Sequence, residues 1–121
     1  MTTTKQTTGN LAEDEALAFL TQKGMELIER NFRCYVGEID LIMRDPTHVV
    51  FVEVRFRSRS CYGNATDSII PDKIKKIIRA ATMYLQMKKW LYKVDSRFDI
   101  VAIDLTKAGK KITWLKNAFT P

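Results

Sequence analysis

The amino-acid sequence predicts a single α/β domain built around a mixed β-sheet. Three observations support this prediction: an amphipathic helix pattern near the N-terminus, two neighbouring stretches of alternating apolar residues, and a second helix pattern followed by further strands. The chain has 121 residues, of which 45% are hydrophobic and 28% charged, and this composition suits one globular domain. Residues 1–8 are polar and are predicted to be a flexible leader, so the domain is assigned to residues 9–121.

The first helix is predicted to run from Asn10 to Lys23. Asn10 is a suitable N-cap, and Gly24 is a suitable residue to end the helix. When residues are placed at intervals of about 100°, the apolar side chains fall within one arc about 160° wide. The members of this arc are Phe19, Ala12, Ala16, Leu20 and Leu17.

Three strands are predicted after this helix. The first is a short one from Met25 to Phe32, and the other two are segments that alternate well. Within Glu38–Arg44, one face is expected to carry Ile39, Leu41 and Met43. Within Val49–Arg57, one face is expected to carry Val50, Val52, Val54 and Phe56. The residues between these two strands, 45–48, read Asp-Pro-Thr-His, which is typical of a turn, so the two strands are predicted to form a hairpin.

A long basic loop is predicted for residues 57–70, and a second helix begins at Pro71. The buried stripe of that helix is predicted to consist of Ile74, Ile77, Ile78, Ala81 and Leu85. A strand from Arg97 to Asp104 and an edge strand from Ile112 to Lys116 complete the order helix, three strands, helix, then one or two strands.

The charge distribution indicates a polyanionic partner. Residues 1–54 carry 5 Lys/Arg and 9 Asp/Glu, a balance of −4, whereas residues 55–121 carry 15 and 5, a balance of +10. A basic surface beside an acidic cluster suits nucleic acid, although a solvated surface that only raises solubility fits equally well. No apolar run approaches the ~20 residues of a membrane span, and no signal peptide is expected. Cys34 and Cys61 are expected to be free thiols. A cytoplasmic location is therefore predicted.

A pair of acidic residues on the predicted hairpin is the clearest chemical signal. If Arg44 pairs with Val49, the numbers of paired residues sum to 93, and Asp40 then lies opposite Glu53. Like charges that face each other across a ladder are destabilising unless a cation lies between them, and carboxylate oxygens are preferred ligands of Mg²⁺ and Mn²⁺. The next pair in this register, Glu38 and Arg55, is a candidate salt bridge.

Glu13 supplies a third carboxylate, because it falls inside the apolar arc of the first helix. A carboxylate on a packed face is costly unless a metal ion or a basic side chain meets it. Glu13, Asp40 and Glu53 are therefore expected to converge on a metal site. The alternative is that Glu13 reaches solvent and that Asp40 or Glu53 simply pairs with Arg55 or Arg57, and the spacing alone leaves both open.

Several segments carry a resemblance to a known family. The most specific part is Gly37-Glu38-Ile39-Asp40-Leu41-Ile42 followed by Phe51-Val52-Glu53-Val54-Arg55, and further matching segments are Gly9 to Leu20, Glu29 to Arg33, Tyr62-Gly63, Lys73, Arg97 to Val101, Trp114 and Asn117 to Phe119. On these residues the chain resembles the YraN family of bacterial proteins. That family is in turn similar to archaeal Holliday-junction resolvases and the restriction-endonuclease-like, or PD-(D/E)xK, superfamily.

The resemblance implies a three-layer core, a mixed sheet flanked by helices, that frames a metal site for phosphodiester hydrolysis. By motif, Asp40 and Glu53 would be metal ligands, and Glu13 would be the acidic residue from the first helix. Arg55 stands at the position that the superfamily usually gives to lysine. Because arginine stays protonated, Arg55 is expected to clamp a phosphate oxygen rather than act as a base.

The leading hypothesis is a Mg²⁺- or Mn²⁺-dependent nuclease that acts on DNA, with branched or structured DNA as the substrate that the resemblance favours. The residues expected to grip phosphates or stack on bases are Arg57, Arg59, Tyr62, Lys73, Lys75, Lys76 and Arg79. Two alternatives stay open: a non-catalytic nucleic-acid-binding module, and a subunit whose basic half docks on an acidic protein. Similarity to junction resolvases also raises a homodimer as an expectation.

Overall fold

A computed structural model describes residues 4–57 and 70–121, with side chains described from Leu11 onward in the first helix. Two helices and five strands follow one another in the predicted order, with two strands after the second helix. Their bounds are α1 Thr4–Gln22, β1 Glu26–Cys34, β2 Gly37–Arg44, β3 His48–Arg57, α2 Pro71–Met87, β4 Asp95–Thr106 and β5 Gly109–Phe119. Within these described residues, neither helix is both long and apolar enough to span a membrane.

The five strands form one mixed sheet in the order β1-β2-β3-β4-β5. All neighbours pair antiparallel except β3 and β4, which are parallel and joined by the segment that contains α2. Successive residues of β3 enter different cores: Val49 and Phe51 pack with α2, whereas Val50 and Val52 pack with α1. The two helices therefore cover opposite faces, and the predicted α/β class with three layers is confirmed.

Helix α1 begins at Thr4, six residues before the predicted start, so Asn10 lies inside the helix and does not cap it. No proline interrupts residues 4–9, and the helical hydrogen-bond pattern continues upstream. The predicted apolar arc is confirmed, because Ala12, Ala16 and Leu20 are buried. Gly24 has a φ of 95°, the left-handed conformation typical of the residue after a helix.

The predicted hairpin register is confirmed over four residue pairs, from Leu41 with Val52 to Arg44 with Val49. The face assignment of Ile39 is wrong. Leu41 and Met43 pack with α1, but Ile39 packs with α2. The strict alternation of β2 fails at the same place where its ladder with β3 ends, because a strand that separates from its neighbour is free to rotate.

Helix α2 begins at Pro71 as predicted, and its buried face also includes Ala80 and Tyr84. The ring of Tyr84 makes edge-to-face contacts with Phe32 and Phe51 at centroid distances of 5.1 and 6.1 Å. Gly37 fits closely under the helix: a β-carbon at this position would lie 3.2 Å from the carbonyl oxygen of Lys76. This close approach brings the start of β2 directly beneath the first turns of α2.

Candidate active site

The hairpin brings Asp40 and Glu53 together just beyond the last paired residues of β2 and β3. The backbone N–H of Val54 donates a hydrogen bond of 2.8 Å to Oδ2 of Asp40, which fixes the orientation of that carboxyl group. The carboxyl group of Asp40 also lies close enough to that of Glu53 for the two to interact strongly. Glu53 is 4% exposed, so two acidic groups meet in a site that is largely shielded from water.

This proximity changes the acidity of Asp40. Burial, followed by repulsion from the Glu53 carboxylate, raises the pKa of Asp40 to about 8, against opposing effects of the Val54 N–H and the charge of Lys73. Because two carboxylates this close cannot both carry a charge at low cost, Asp40 holds its proton at neutral pH unless a cation joins the site.

Two basic side chains contact Glu53. Lys73, in the first turn of α2, places its Nζ 3.4 Å from Oε2 of Glu53, and Nη1 of Arg55 lies 3.6 Å from the same oxygen. The N-terminal end of α2, which carries the positive end of the helix dipole, is thereby directed toward the carboxyl pair. The site combines two acidic and two basic groups on elements that are rigidly packed.

Glu13 lies near this site but has its own partner. Nε of Arg30 is 3.3 Å from Oε1 of Glu13, and Arg30 also reaches Asp14 at 2.7 Å. Burial, followed by the charge of Asp40, raises the pKa of Glu13, and Arg30 opposes this rise. Within the described residues, no three Asp, Glu, His or Cys side chains form a ready group of metal ligands. The structure thus joins Asp40 to Glu53 and leaves Glu13 in an adjacent ion pair.

The donor chemistry of the pair fits Mg²⁺ or Mn²⁺. These ions are commonly held by one or two carboxylates, with water and substrate phosphate in the remaining positions. Asp40 and Glu53 supply two such carboxylates, and the repulsion that raises the pKa of Asp40 is the cost that a divalent cation would remove.

The other predicted site residues are spread around this centre. Lys75, Lys76 and Arg79 are exposed on α2, and Arg57 is half-buried at the end of β3. The predicted phosphate-binding Arg59 and base-stacking Tyr62 lie outside the described residues. The predicted Glu38–Arg55 salt bridge is replaced by contacts of Glu38 with Arg33 at 3.4 Å and of Arg55 with Glu53, because β2 and β3 separate before this pair.

A second buried acidic group, Asp99, was not singled out by charge or spacing. It is 0% exposed and accepts hydrogen bonds from Nε of Arg97 (3.0 Å), Nε1 of Trp114 (2.9 Å) and the backbone N–H of Asn117 (2.9 Å). Arg97 extends the network to Asp45 at 2.7 Å. Arg97 and Asp99 are two residues apart on one strand, so their side chains share a face of the sheet. This spacing of opposite charges is the sequence signal that could have predicted the buried ion pair.

This network is structural in character. Asn117 has a φ of 52°, and the β4–β5 register shifts between Phe98 and Ile100, where the Asp99 carboxylate occupies the bulge. Burial opposes ionisation of Asp45, but the backbone N–H groups of Thr47 and His48, together with Arg97, hold its pKa well below the usual range. Arg97, Trp114 and Asn117 all direct donors at acceptors of the fold itself, which indicates a structural role for this cluster.

The fold and the carboxyl pair define a class of protein: an α/β domain whose central sheet positions two acidic and two basic side chains at one edge of a hairpin. The chain belongs to the Uncharacterised protein family UPF0102, whose model matches residues 12–103. This membership confirms the resemblance to the YraN family.

Curated relatives from several bacteria cover nearly the whole chain. A UPF0102 protein of Janthinobacterium sp. (strain Marseille) is 49% identical over 116 residues, which cover 96% of this chain and 89% of the relative. A UPF0102 protein of Alkalilimnicola ehrlichii is 50% identical over 113 residues, covering 93% and 86%. A UPF0102 protein of Legionella pneumophila is 45% identical over 114 residues, covering 94% and 95%. These names state family membership and no activity.

Proposed function

We propose that this protein is a Mg²⁺- or Mn²⁺-dependent nuclease that hydrolyses phosphodiester bonds in DNA. One observation carries the proposal: the Asp40 and Glu53 carboxyl groups lie close together just beyond the last paired residues of the hairpin, while Lys73 and Arg55 approach Glu53 within 3.4 and 3.6 Å. A carboxyl group whose pKa is raised by burial and by a neighbouring carboxylate, with cations close by, is typical of catalytic sites.

Asp40 and Glu53 are the proposed metal ligands. When bound, the cation would lower the pKa of a coordinated water and offset the charge of the scissile phosphate. The Val54 N–H keeps Oδ2 of Asp40 in place, so the second oxygen is left to face the site. Glu13 is proposed to assist from a position beside Asp40. There its carboxylate contributes negative charge to the site, and its ion pair with Arg30 holds it in place.

Arg55 and Lys73 are proposed to share the role that one lysine usually has in the superfamily. The Arg55 guanidinium can hold two phosphate oxygens at once, but it cannot remove a proton. Lys73 places an ammonium group beside Glu53 from the other side, on the helix α2. The pair is therefore suited to stabilise negative charge that develops on the phosphate, which is the largest demand of this reaction.

DNA is the proposed substrate because basic groups extend away from the carboxyl pair. Lys75, Lys76 and Arg79 are exposed on α2, and residues 55–121 carry a balance of +10. Contacts of this kind bind phosphates with little sequence preference. A cytoplasmic location, structured DNA as substrate and a homodimer belong to the same proposal.

The test is a cleavage assay at low salt on duplex, single-stranded, flap and four-way-junction DNA, each with Mg²⁺, Mn²⁺ or EDTA. Glu53→Gln is the variant, and Glu38→Gln is its matched control, because Glu38 is exposed on the neighbouring strand. We expect metal-dependent cleavage that falls by at least about 100-fold in Glu53→Gln and is unchanged in Glu38→Gln. Equal activity of wild type and Glu53→Gln would refute the assignment.

A non-catalytic nucleic-acid-binding module is the second candidate function. It is favoured by Arg55 at the usual lysine position and by the engagement of Glu13 with Arg30. Tight DNA binding without cleavage of any substrate in either metal would support it. Arg55→Lys then becomes the informative variant, since a gain of cleavage would identify Arg55 as the residue that limits the chemistry.

A further inference from the structure

A second group of basic residues lies on the hairpin that joins β4 to β5. Thr106 donates its hydroxyl to the carbonyl oxygen of Gly109 at 2.7 Å and closes this turn. Lys107, Lys110 and Lys111 are all exposed there. Lys110 is engaged by Glu15 of α1, which ties the hairpin to the first helix.

The strand registers place this hairpin at the same end of the sheet as the carboxyl pair. Glu53 on β3 is paired with Ile100 on β4, and four residues further along β3, Arg57 is paired with Asp104. Asp104 is in turn paired with Lys111 on β5. Because partners in a ladder point to the same face, Arg57 and Lys111 belong to the face that carries Glu53.

The separation can be worked out from the geometry of the sheet. Two strand spacings of about 4.8 Å and four residues at about 3.3 Å place the α-carbons of Lys111 and Glu53 about 16 Å apart. A B-DNA duplex advances about 3.4 Å per base pair, so this distance corresponds to about five base pairs. A lysine at this position would meet a phosphate well away from the one at Glu53.

Helix α2 also brings a basic residue to this end of the sheet. Gly37, at the start of β2, lies directly against the backbone of Lys76 on α2. The start of β2 is at the same end of the sheet as the end of β3, because the two strands are antiparallel. Lys76 and the β4–β5 hairpin thus lie at the same end of the sheet, one above β2 and the other on β4 and β5, an arrangement that suits an extended polyanion better than a single nucleotide.

We propose that the β4–β5 hairpin is a second phosphate-binding element of this site, with Lys107 and Lys111 as its contacts to the backbone of double-stranded DNA. The inference rests on the proposed function and deepens it, because it assigns the substrate a duplex segment of at least about five base pairs on this side. Lysines on an edge strand such as β5 also discourage pairing with other sheets, and the experiment separates that role from DNA contact.

The experiment measures fluorescence anisotropy of the full chain with a labelled 25-base-pair duplex in EDTA, over a series of salt concentrations. The variant is Lys107→Ala with Lys111→Ala. The control is Lys88→Ala with Lys93→Ala, which removes the same charge from the exposed segment that follows the C-terminal end of α2. A charge-retaining variant, Lys107→Arg with Lys111→Arg, shows whether any loss is due to charge.

We expect the slope of log K against log salt to become shallower by about 1.8 in the alanine variant, because each phosphate contact contributes about 0.9. At 0.1 M salt this corresponds to a Kd on the order of 10- to 60-fold weaker. The arginine variant and the control are expected to keep the wild-type slope. An unchanged slope in the alanine variant, or an equal change in the control, would overturn the inference.

The two proposals fail in different ways. Cleavage by the wild type together with an unchanged slope in the alanine variant would overturn only the role of the hairpin. A wild type that does not bind the duplex would also overturn the role of the hairpin, whereas the proposed nuclease function fails only if the cleavage assay shows no metal-dependent cutting of any of its substrates.

Discussion

Replacement of Asp40 by asparagine is expected to make the protein more stable above neutral pH. The change keeps the size of the side chain and an oxygen that accepts the Val54 N–H, but it removes the charge that faces Glu53. In wild type, the pKa of Asp40 rises from its ordinary 3.8 to about 8 on folding. The folded protein therefore keeps a proton that the unfolded chain releases between about pH 4 and pH 8.

The sign follows from this difference in proton binding. Wild-type stability falls as pH rises through that interval, since deprotonation is easier in the unfolded chain. One pKa unit corresponds to about 1.4 kcal/mol, so the full shift from 3.8 to about 8 would cost about 6 kcal/mol, and relaxation of the site places the expected cost at about 2–5 kcal/mol. Asp40→Asn should thus match wild type within about 1 kcal/mol at pH 4.5 and exceed it by about 2–5 kcal/mol at pH 8.5.

The assay is urea denaturation in EDTA at several pH values between 4.5 and 8.5, with Asp95→Asn as the matched control because Asp95 is exposed at the start of β4. Addition of Mg²⁺ or Mn²⁺ at pH 8.5 should raise the stability of wild type, because a ligand that binds only the folded state stabilises that state. The stability of Asp40→Asn should not change. Curves for wild type and Asp40→Asn that stay parallel across this range would show that the carboxyl pair carries no such strain.

Three further substitutions test the packing that holds the site. Asp99→Asn should lower the free energy of unfolding by about 3–5 kcal/mol in urea denaturation, because Arg97 loses its buried partner; a loss below about 1 kcal/mol would contradict the structural role. Gly37→Ala should cost about 1–3 kcal/mol in the same assay, because the new β-carbon crowds the Lys76 backbone, and wild-type stability would show that α2 moves freely. Tyr84→Phe should keep the free energy of unfolding or raise it by up to about 1 kcal/mol, because the Tyr84 hydroxyl is buried without a partner among the described residues. A clear loss of stability would reveal a hidden hydrogen bond.

Much of the fold could be predicted from residue patterns. The apolar arc of α1 fixes which face packs, and the turn at residues 45–48 fixes the hairpin register. Both depend on interactions that are local in the sequence. That register also predicted Asp40 beside Glu53, and the two carboxyl groups do lie close together just beyond the last paired residues, Leu41 and Val52.

Other features depend on contacts between distant segments. The position of Lys73 against Glu53 requires the packing of α2 on the sheet, which no spacing within the helix reveals. The Arg30 partner of Glu13 comes from β1, and the rotation of Ile39 follows from the separation of β2 and β3. The β5 strand extends beyond the predicted Ile112–Lys116 because pairing with β4, rather than alternation, sets its length.

The two buried acidic centres of the fold differ in how fully they are compensated. Asp99 accepts hydrogen bonds from a guanidinium, an indole and a backbone N–H, all held by the fold itself. Asp40 has one backbone donor and shares its second contact with another carboxyl group. A fold that satisfies one buried carboxylate this completely has the means to satisfy the other, and the incomplete compensation of Asp40 therefore supports the proposed cation site at Asp40 and Glu53.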